Sequence, residues 1–428
     1  MKNKLLGVIS LGCSKNRLDT EGMLYALLQN GFEITEELDQ ADLLIVNTCS
    51  FIQSAKEESI DAILQAAEIK SRKEGCKLLV TGCLPERYRD ELARELPEVD
   101  AFVGGNQYGK IVDIVNRMFE GEHIAEFVER AALPLGRVRT TPKHLAYVRI
   151  AEGCDHACAY CAIPSIRGPY RSRPMEEIVE ECKQLIADGV KEIVLIAQDT
   201  SYYGKDLYGD FCLSKLLQKI DTLGAQWVRI LYAYPERITD ELLSTIVKSK
   251  SILPYLDLPL QHVNDEILRA MGRPTTQKKL RELLAKIHDT GKEFTLRTTF
   301  ITGFPGETSE QFEELADFVK QGYFSHVGAF AYSKEEGTRA AKMPNQIPKR
   351  TKEGRRGQLL LAQQPISKAY MQKAVGQIKQ VIIEEYDEDI CMYVGRAESQ
   401  APEVDGVTYI SSPVPLILGQ IVPCKIVQ

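Results

Sequence analysis

The sequence predicts an α/β protein in three parts: an N-terminal parallel sheet with helices on its faces, a partial (β/α)6 barrel, and a small C-terminal antiparallel β-barrel. Three observations carry this. Apolar runs alternate with amphipathic helical spacing as far as Ala132, the pattern of a parallel sheet covered by helices. The alternation then repeats six times from Ala146 to Tyr332, too few units for a closed eight-fold barrel. Beyond Gln364, short apolar runs follow one another with only Gly, Pro and acidic turns between them, which suits antiparallel strands.

In the first part, residues 1–132, Leu5–Leu11, Leu43–Val46, Leu78–Val80 and Ala101–Val103 read as buried strands. Asp19–Gln29, Ser54–Lys70 and Glu86–Glu95 have helical spacing. In the second, residues 133–363, the strands are Ala146–Ile150, Glu192–Ile196, Val228–Tyr232, Tyr255–Leu258, Phe294–Phe300 and Val327–Tyr332. Helices between them include Met175–Asp188, Asp240–Lys248, Gln277–Thr290 and Ser309–Gln321. The basic stretch Arg339–Arg356 reads as an exposed return helix or linker, a solvated face sooner than an RNA patch. In the third, residues 364–428, Gln377–Ile383, Ile390–Gly395, Val407–Ile410 and Gly419–Ile426 are strands.

A chain of 428 residues exceeds a single hydrophobic core. No apolar run approaches the ~18 residues that span a bilayer. Met1–Lys4 with Leu5–Gly12 and Cys13 falls at the short limit for a leader, and Ser10 stands where a lipoprotein cleavage site wants Leu. The expected location is the cytoplasm. Eleven cysteines, an odd number, are there better read as metal ligands or core residues than as disulfides. The net charge of −7 lacks the basic footprint of a nucleic-acid binder.

Cys154-Asp-His-Ala-Cys158-Ala-Tyr-Cys161 follows the first strand of the second part. Three thiolates at this spacing can wrap one corner of a [4Fe–4S] cluster, leaving its fourth iron open to chelate the amino and carboxylate groups of a methionine moiety. A structural zinc site completed by His156 is the bland alternative, but zinc knuckles pair one Cys-x-x-Cys with another, and none is present. Cys13, Cys49 and Cys83 each end an expected strand. Strand ends of one polarity lie along one edge of a parallel sheet, so these three should converge and hold a second cluster with an open iron. Chance core cysteines are the alternative. Cys76 precedes its strand and belongs at the opposite edge; Cys182, Cys212, Cys391 and Cys424 read as packing residues.

The Cys154–Cys161 loop resembles that of the radical SAM superfamily. By that resemblance Tyr160 lies against the adenine of S-adenosylmethionine. Ala197-Gln-Asp199 stands where the superfamily often has a Gly-Gly-acidic motif, a departure that still offers Asp199 to the cofactor. Thr302-Gly-Phe-Pro-Gly-Glu307 resembles its Gly-rich segment, with Gly303 and Gly306 allowing close approach; a plain strand-to-helix turn would use them too. His262 and Arg297 could line the pocket or serve as structural hydrogen-bonders.

The three parts in this order resemble the radical SAM methylthiotransferases, with a TRAM-like C-terminal barrel for substrate recognition. Ser10–Asn16, Asn47–Ile52, Ala197–Gly204 and Gln400–Gly406 are similar to the branch acting on a ribosomal protein, apart from Ser14, where Pro is expected. The resemblance implies two [4Fe–4S] clusters and S-adenosylmethionine as cofactors. It also implies an external electron donor and sulfur source, and β-methylthiolation of an aspartate in the small-subunit ribosomal protein S twelve. The third part carries five basic residues against eight acidic ones, complementing a basic protein and opposing RNA; the run Glu384–Asp389 could equally be a solvated turn. Two alternatives stay open: a transfer-RNA adenosine as substrate, and a non-catalytic redox-sensing ribosome factor using zinc or clusters structurally.

Overall fold

The computed structural model describes residues 4–105, 108–127 and 136–427. The expected boundary at Ala132 lies outside them. Two compact units form: Met1–Thr140 with Glu152–His156 and Cys161–Tyr170, and Thr141–Ala151 with Ala157–Tyr160 and Arg171–Gln428.

The first unit holds a six-stranded parallel sheet. Its strands are β1 (Lys4–Ser10), β2 (Phe32–Ile34), β3 (Leu43–Thr48), β4 (Lys77–Gly82), β5 (Ala101–Gly104) and β6 (Ile124–Glu126), in the order β2-β1-β3-β4-β5-β6. The pleat sends alternate side chains to opposite faces. Leu43 and Ile45 pack with α1 (Ser14–Leu28) and α4 (Ile111–Phe119), whereas Leu44 and Val46 pack with α2 (Gln53–Ser71) and α3 (Cys83–Glu95). The edge strands β2 and β6 were missed in the sequence reading because three residues are too few to show a period.

The second unit holds six parallel strands: β7 (Leu145–Arg149), β8 (Glu192–Ile196), β9 (Trp227–Ile230), β10 (Tyr255–Asp257), β11 (Thr295–Thr302) and β12 (His326–Ala331). They pair as β9-β8-β7 and β10-β11-β12, and the two triplets join through a parallel bridge between Val228 and Ile252. This is the expected incomplete barrel. Helices return between the strands; Thr308 and Gln311 form a capping box at the helix Ser309–Lys320, satisfying two of its free N-terminal donors.

The helix Lys349–Ala374 runs straight through Gln364 with Pro365 inside it, so the change to strands begins at Ile378. From there β13 (Ile378–Asp387), β14 (Met392–Ala397), β15 (Thr408–Ile410) and β16 (Ile421–Lys425) form a four-stranded antiparallel sheet ordered β15-β14-β13-β16. This sheet is seated at the N-terminal ends of the barrel strands. Arg396 reaches Glu192, the first residue of β8, at 2.6 Å; Tyr255, the first of β10, donates to Asp405 at 2.7 Å. Arg297 and His326 also approach Asp405, at 3.4 and 3.5 Å. Arg297 is therefore an ion-pair partner of the C-terminal sheet at the end of the barrel away from the cysteine loop.

The basic stretch Arg339–Arg356 is largely exposed, as expected, and leads into the helix Lys349–Ala374; within it Lys352 is buried with its Nζ donating to Tyr332 O at 3.0 Å, and Arg355 pairs with Glu307 at 2.9 Å. One further expectation is corrected. Cys391 is exposed, not packed, because it sits in the β13–β14 turn in a left-handed conformation.

Candidate cluster and cofactor site

In the first unit, β1 pairs with β2 on one side and β3 on the other, so the chain reverses its direction of winding between β1 and β3. Ligands bind beyond the carboxyl ends of strands at such a switch point. Cys13 and Cys49 follow these two strands, and Cys83 follows the next, β4. Cys13 caps α1, Cys83 opens α3, and a side chain on Gly12 would touch Cys49 Cβ. The three cysteines thus lie at the ends of three adjacent strands, while Cys76 precedes β4 at the other edge. Cys13 is exposed, Cys49 half-buried and Cys83 buried. Burial pushes the Cys83 thiol up to about 12, opposed by the Arg167 charge. Among the described residues no three His, Cys, Asp or Glu side chains lie close enough together to hold a single metal ion.

Hydrogen bonds hold these strand ends in place. Asn16 donates through Nδ2 to Thr48 O at 2.8 Å, Ser59 Oγ accepts from Cys49 N at 3.0 Å, and Ser50 Oγ donates to Cys83 O at 2.9 Å. Gly82 has φ +99°, and a Cβ there would sit 2.5 Å from Thr48 O. Gly82→Ala is therefore expected to cost about 2–4 kcal/mol, from the left-handed penalty plus the clash. Urea unfolding measures the loss, and iron content should fall with it because Cys83 is the next residue.

The Cys154–Cys161 loop is divided between the units. In the first, Cys154 N donates to Gly168 O at 3.1 Å, and Cys161 Sγ accepts from Ile163 N at 3.4 Å. The residues just after this loop reach the other cysteines: Ala162 and Ile166 pack on Cys83. Arg167, only 3% exposed in its side chain, donates through Nη2 to Cys83 Sγ at 3.3 Å and to Asn16 Oδ1. Its Nη1 donates to Asp19 Oδ2 at 2.7 Å and lies 3.7 Å from Glu152.

In the second unit, Cys158 Sγ lies 3.6 Å from Tyr234 Oη. The loop is pinned by Ala159 N donating to Met271 O and Ala340 N donating to Ala159 O, both 2.8 Å. Arg273 stacks on Tyr234, 4.1 Å from the ring centroid, and meets Glu236 at 3.3 Å. It is buried, and among the described residues its Nε and Nη1 donors have no hydrogen-bond partner. Two buried, unpaired guanidinium donors near the Cys158 thiol suit a carboxylate ligand.

The other expected cofactor residues are more committed. Tyr160 is half-buried beside Ala159 and Met271. Asp199 accepts from Ser201 N at 2.9 Å and from Arg237 Nη1 at 2.7 Å. Gly303 N donates to Glu307 within the turn and Gly306 N donates to the distant Asn345 O, so both glycine amides are already engaged. His262 is fully buried: its Nδ1 accepts from Asn264 N at 3.0 Å, and burial drives its pKa down to about 3, leaving it neutral. The sequence reading missed Arg167 and Arg273. A charged residue in an apolar stretch, as in Ile163-Pro-Ser-Ile-Arg167, was the available signal.

Comparison with known proteins agrees in three segments. Residues 148–319 match the radical SAM superfamily, 375–428 the TRAM domain, and 6–104 a family described as uncharacterized protein family UPF0004. The ribosomal protein uS12 methylthiotransferase RimO of Desulforamulus reducens is 47% identical, covering 98% of this chain and 96% of that one. The protein of the same name from a Thermoanaerobacter species is 44% identical, covering 100% and 97%. Among solved structures, the radical S-adenosylmethionine methyltransferase TsrM from Kitasatospora setae superposes with a TM-score of 0.57 at 14% identity, covering 77% of this chain and 75% of that one. That similarity concerns the fold. With full-length relatives this close and the three domain matches in order, the chain belongs to the RimO family of radical SAM methylthiotransferases.

Proposed function

We propose that this enzyme adds a methylthio group to the β-carbon of an aspartate in ribosomal protein uS12, using S-adenosylmethionine and two three-cysteine [4Fe–4S] clusters. The observation that carries this reading is the placement of Cys13, Cys49 and Cys83 at three adjacent strand ends, beside the segment that follows Cys161. When bound, the cluster on Cys154, Cys158 and Cys161 supplies the electron that cleaves S-adenosylmethionine, and the cluster on Cys13, Cys49 and Cys83 carries the sulfur. The electron and the sulfur come from external sources.

The chain's own residues position these groups. Tyr234 approaches the Cys158 thiol through its hydroxyl, and Arg273 offers two buried donors to the carboxylate of the methionine moiety. Tyr160, in the same loop as Cys158, packs beside Ala159 and Met271. Residues 1–132 carry the auxiliary site, 133–363 the barrel and 364–428 the substrate-recognition domain, and the enzyme works in the cytoplasm. Of the eight acidic residues in that last segment, Glu384 and Asp405 are engaged inwards, as is Arg396 among the basic ones. The remaining balance is still acidic, which favours a basic protein over RNA.

The direct test incubates the reconstituted enzyme with uS12, S-adenosylmethionine and a reductant, and reads peptide masses. A gain of one methylthio group on an aspartate supports the reading; modification of a transfer-RNA adenosine instead would sink the substrate assignment. Replacing Cys13, Cys49 and Cys83 together by alanine should halve the iron content. It should reduce methylthio product to background while 5′-deoxyadenosine continues to form, as liquid chromatography would show.

A further inference from the structure

We propose that Arg167 is a positioning residue for the auxiliary cluster, a fixed cation hydrogen-bonded to the Cys83 ligand that raises that cluster's reduction potential. This rests on the reading of Cys13, Cys49 and Cys83 as cluster ligands. The guanidinium is buried, always charged, and donates to three acceptors: Asp19 Oδ2 at 2.7 Å, Asn16 Oδ1, and Cys83 Sγ at 3.3 Å. Asn16 is itself anchored to Thr48 O at 2.8 Å, so the donor aimed at Cys83 is oriented by the sheet's own strand end.

Hydrogen bonds to ligand sulfur and local charge are the main levers on an iron–sulfur potential. A donor to Cys83 withdraws charge from the cluster and favours its more negative, reduced state. Because Arg167 stands six residues after Cys161, the stretch that follows one cysteine set thereby tunes the other. A purely structural ion pair with Asp19 would affect folding and iron loading but leave the potential unmoved.

The test uses the full chain with Cys154, Cys158 and Cys161 changed to alanine, reconstituted anaerobically with iron and sulfide so that only the auxiliary cluster is present. Its potential is read by electron paramagnetic resonance of samples poised at defined potentials. Arg167→Met should make reduction at least ~10-fold less favourable, ~59 mV for one electron. Asp19→Asn keeps the guanidinium but removes its counter-charge, and should shift the potential the opposite way. Arg167→Lys keeps the charge but not the fork, and should fall between the parent and Arg167→Met. If Arg167→Met does not load, opposite shifts from Asp19→Asn and Arg167→Lys decide the matter. Loaded variants that all share the parent's potential overturn the role of Arg167 and leave the cluster intact. A parent chain that binds neither iron nor sulfide overturns the cluster reading and this inference together.

Discussion

Changing Cys154, Cys158 and Cys161 together to alanine should lower iron from about eight to about four per chain and abolish product formation. The expected loss of turnover is bounded only by detection, because no side chain of the protein can substitute for a group that generates a carbon radical. The remaining iron is the informative part. Cys13, Cys49 and Cys83 are tied to their own strand ends by Asn16, Ser59 and Ser50. Their site should therefore load on its own. Iron and acid-labile sulfide analysis, with 5′-deoxyadenosine as the activity readout, checks this. Retention of S-adenosylmethionine cleavage in this variant would place the radical chemistry elsewhere.

The second large effect is on stability. Glu192, fully buried at the start of β8, accepts from Arg229 Nε at 2.7 Å and from Arg396 Nη2 at 2.6 Å. Glu192→Gln leaves two buried guanidinium groups facing a neutral amide. Removing one partner from such a group costs about 3–5 kcal/mol, mostly the uncompensated charge left behind. Urea unfolding should show that loss. Replacing Glu192, Arg229, Arg396 and Glu384, the other carboxylate on Arg396, by apolar residues of similar size should cost much less, and an equal cost would refute the argument.

The same residues make stability depend on pH. Burial pushes Glu192 upwards, but the charges of Arg229 and Arg396 outweigh it and hold its pKa below the usual value; Glu384 is likewise lowered by His144 and Arg396. Both pKa values are depressed by folding. Their stabilisation is therefore complete above the unfolded value of ~4.3 and is lost as pH falls through the lower folded values. Acid unfolding of the wild type should be steeper than that of Glu192→Gln below about pH 4.

The sequence by itself determined the fold class and the six barrel strands, and it marked out two sets of three cysteines, because each is a local signal. Hydrophobic period distinguishes helix from strand, and a cysteine at the end of an apolar run needs only the common polarity of a parallel sheet to be placed on one edge. That β1, β3 and β4 are neighbours, putting Cys13, Cys49 and Cys83 side by side, was decided by the sheet order. Similarly, Gln400–Gly406 stood out as a motif, but only the folded chain shows Asp405 receiving Tyr255 and facing Arg297 and His326. The contacts of Arg167 and Arg273 could not be read from the sequence for the same reason. Their partners lie far away in sequence: Asn16, Asp19 and Cys83 for the first, Tyr234 and Glu236 for the second. A buried charge is tolerated only where tertiary contacts or a ligand complete it, and neither can be read from the spacing of residues along a chain.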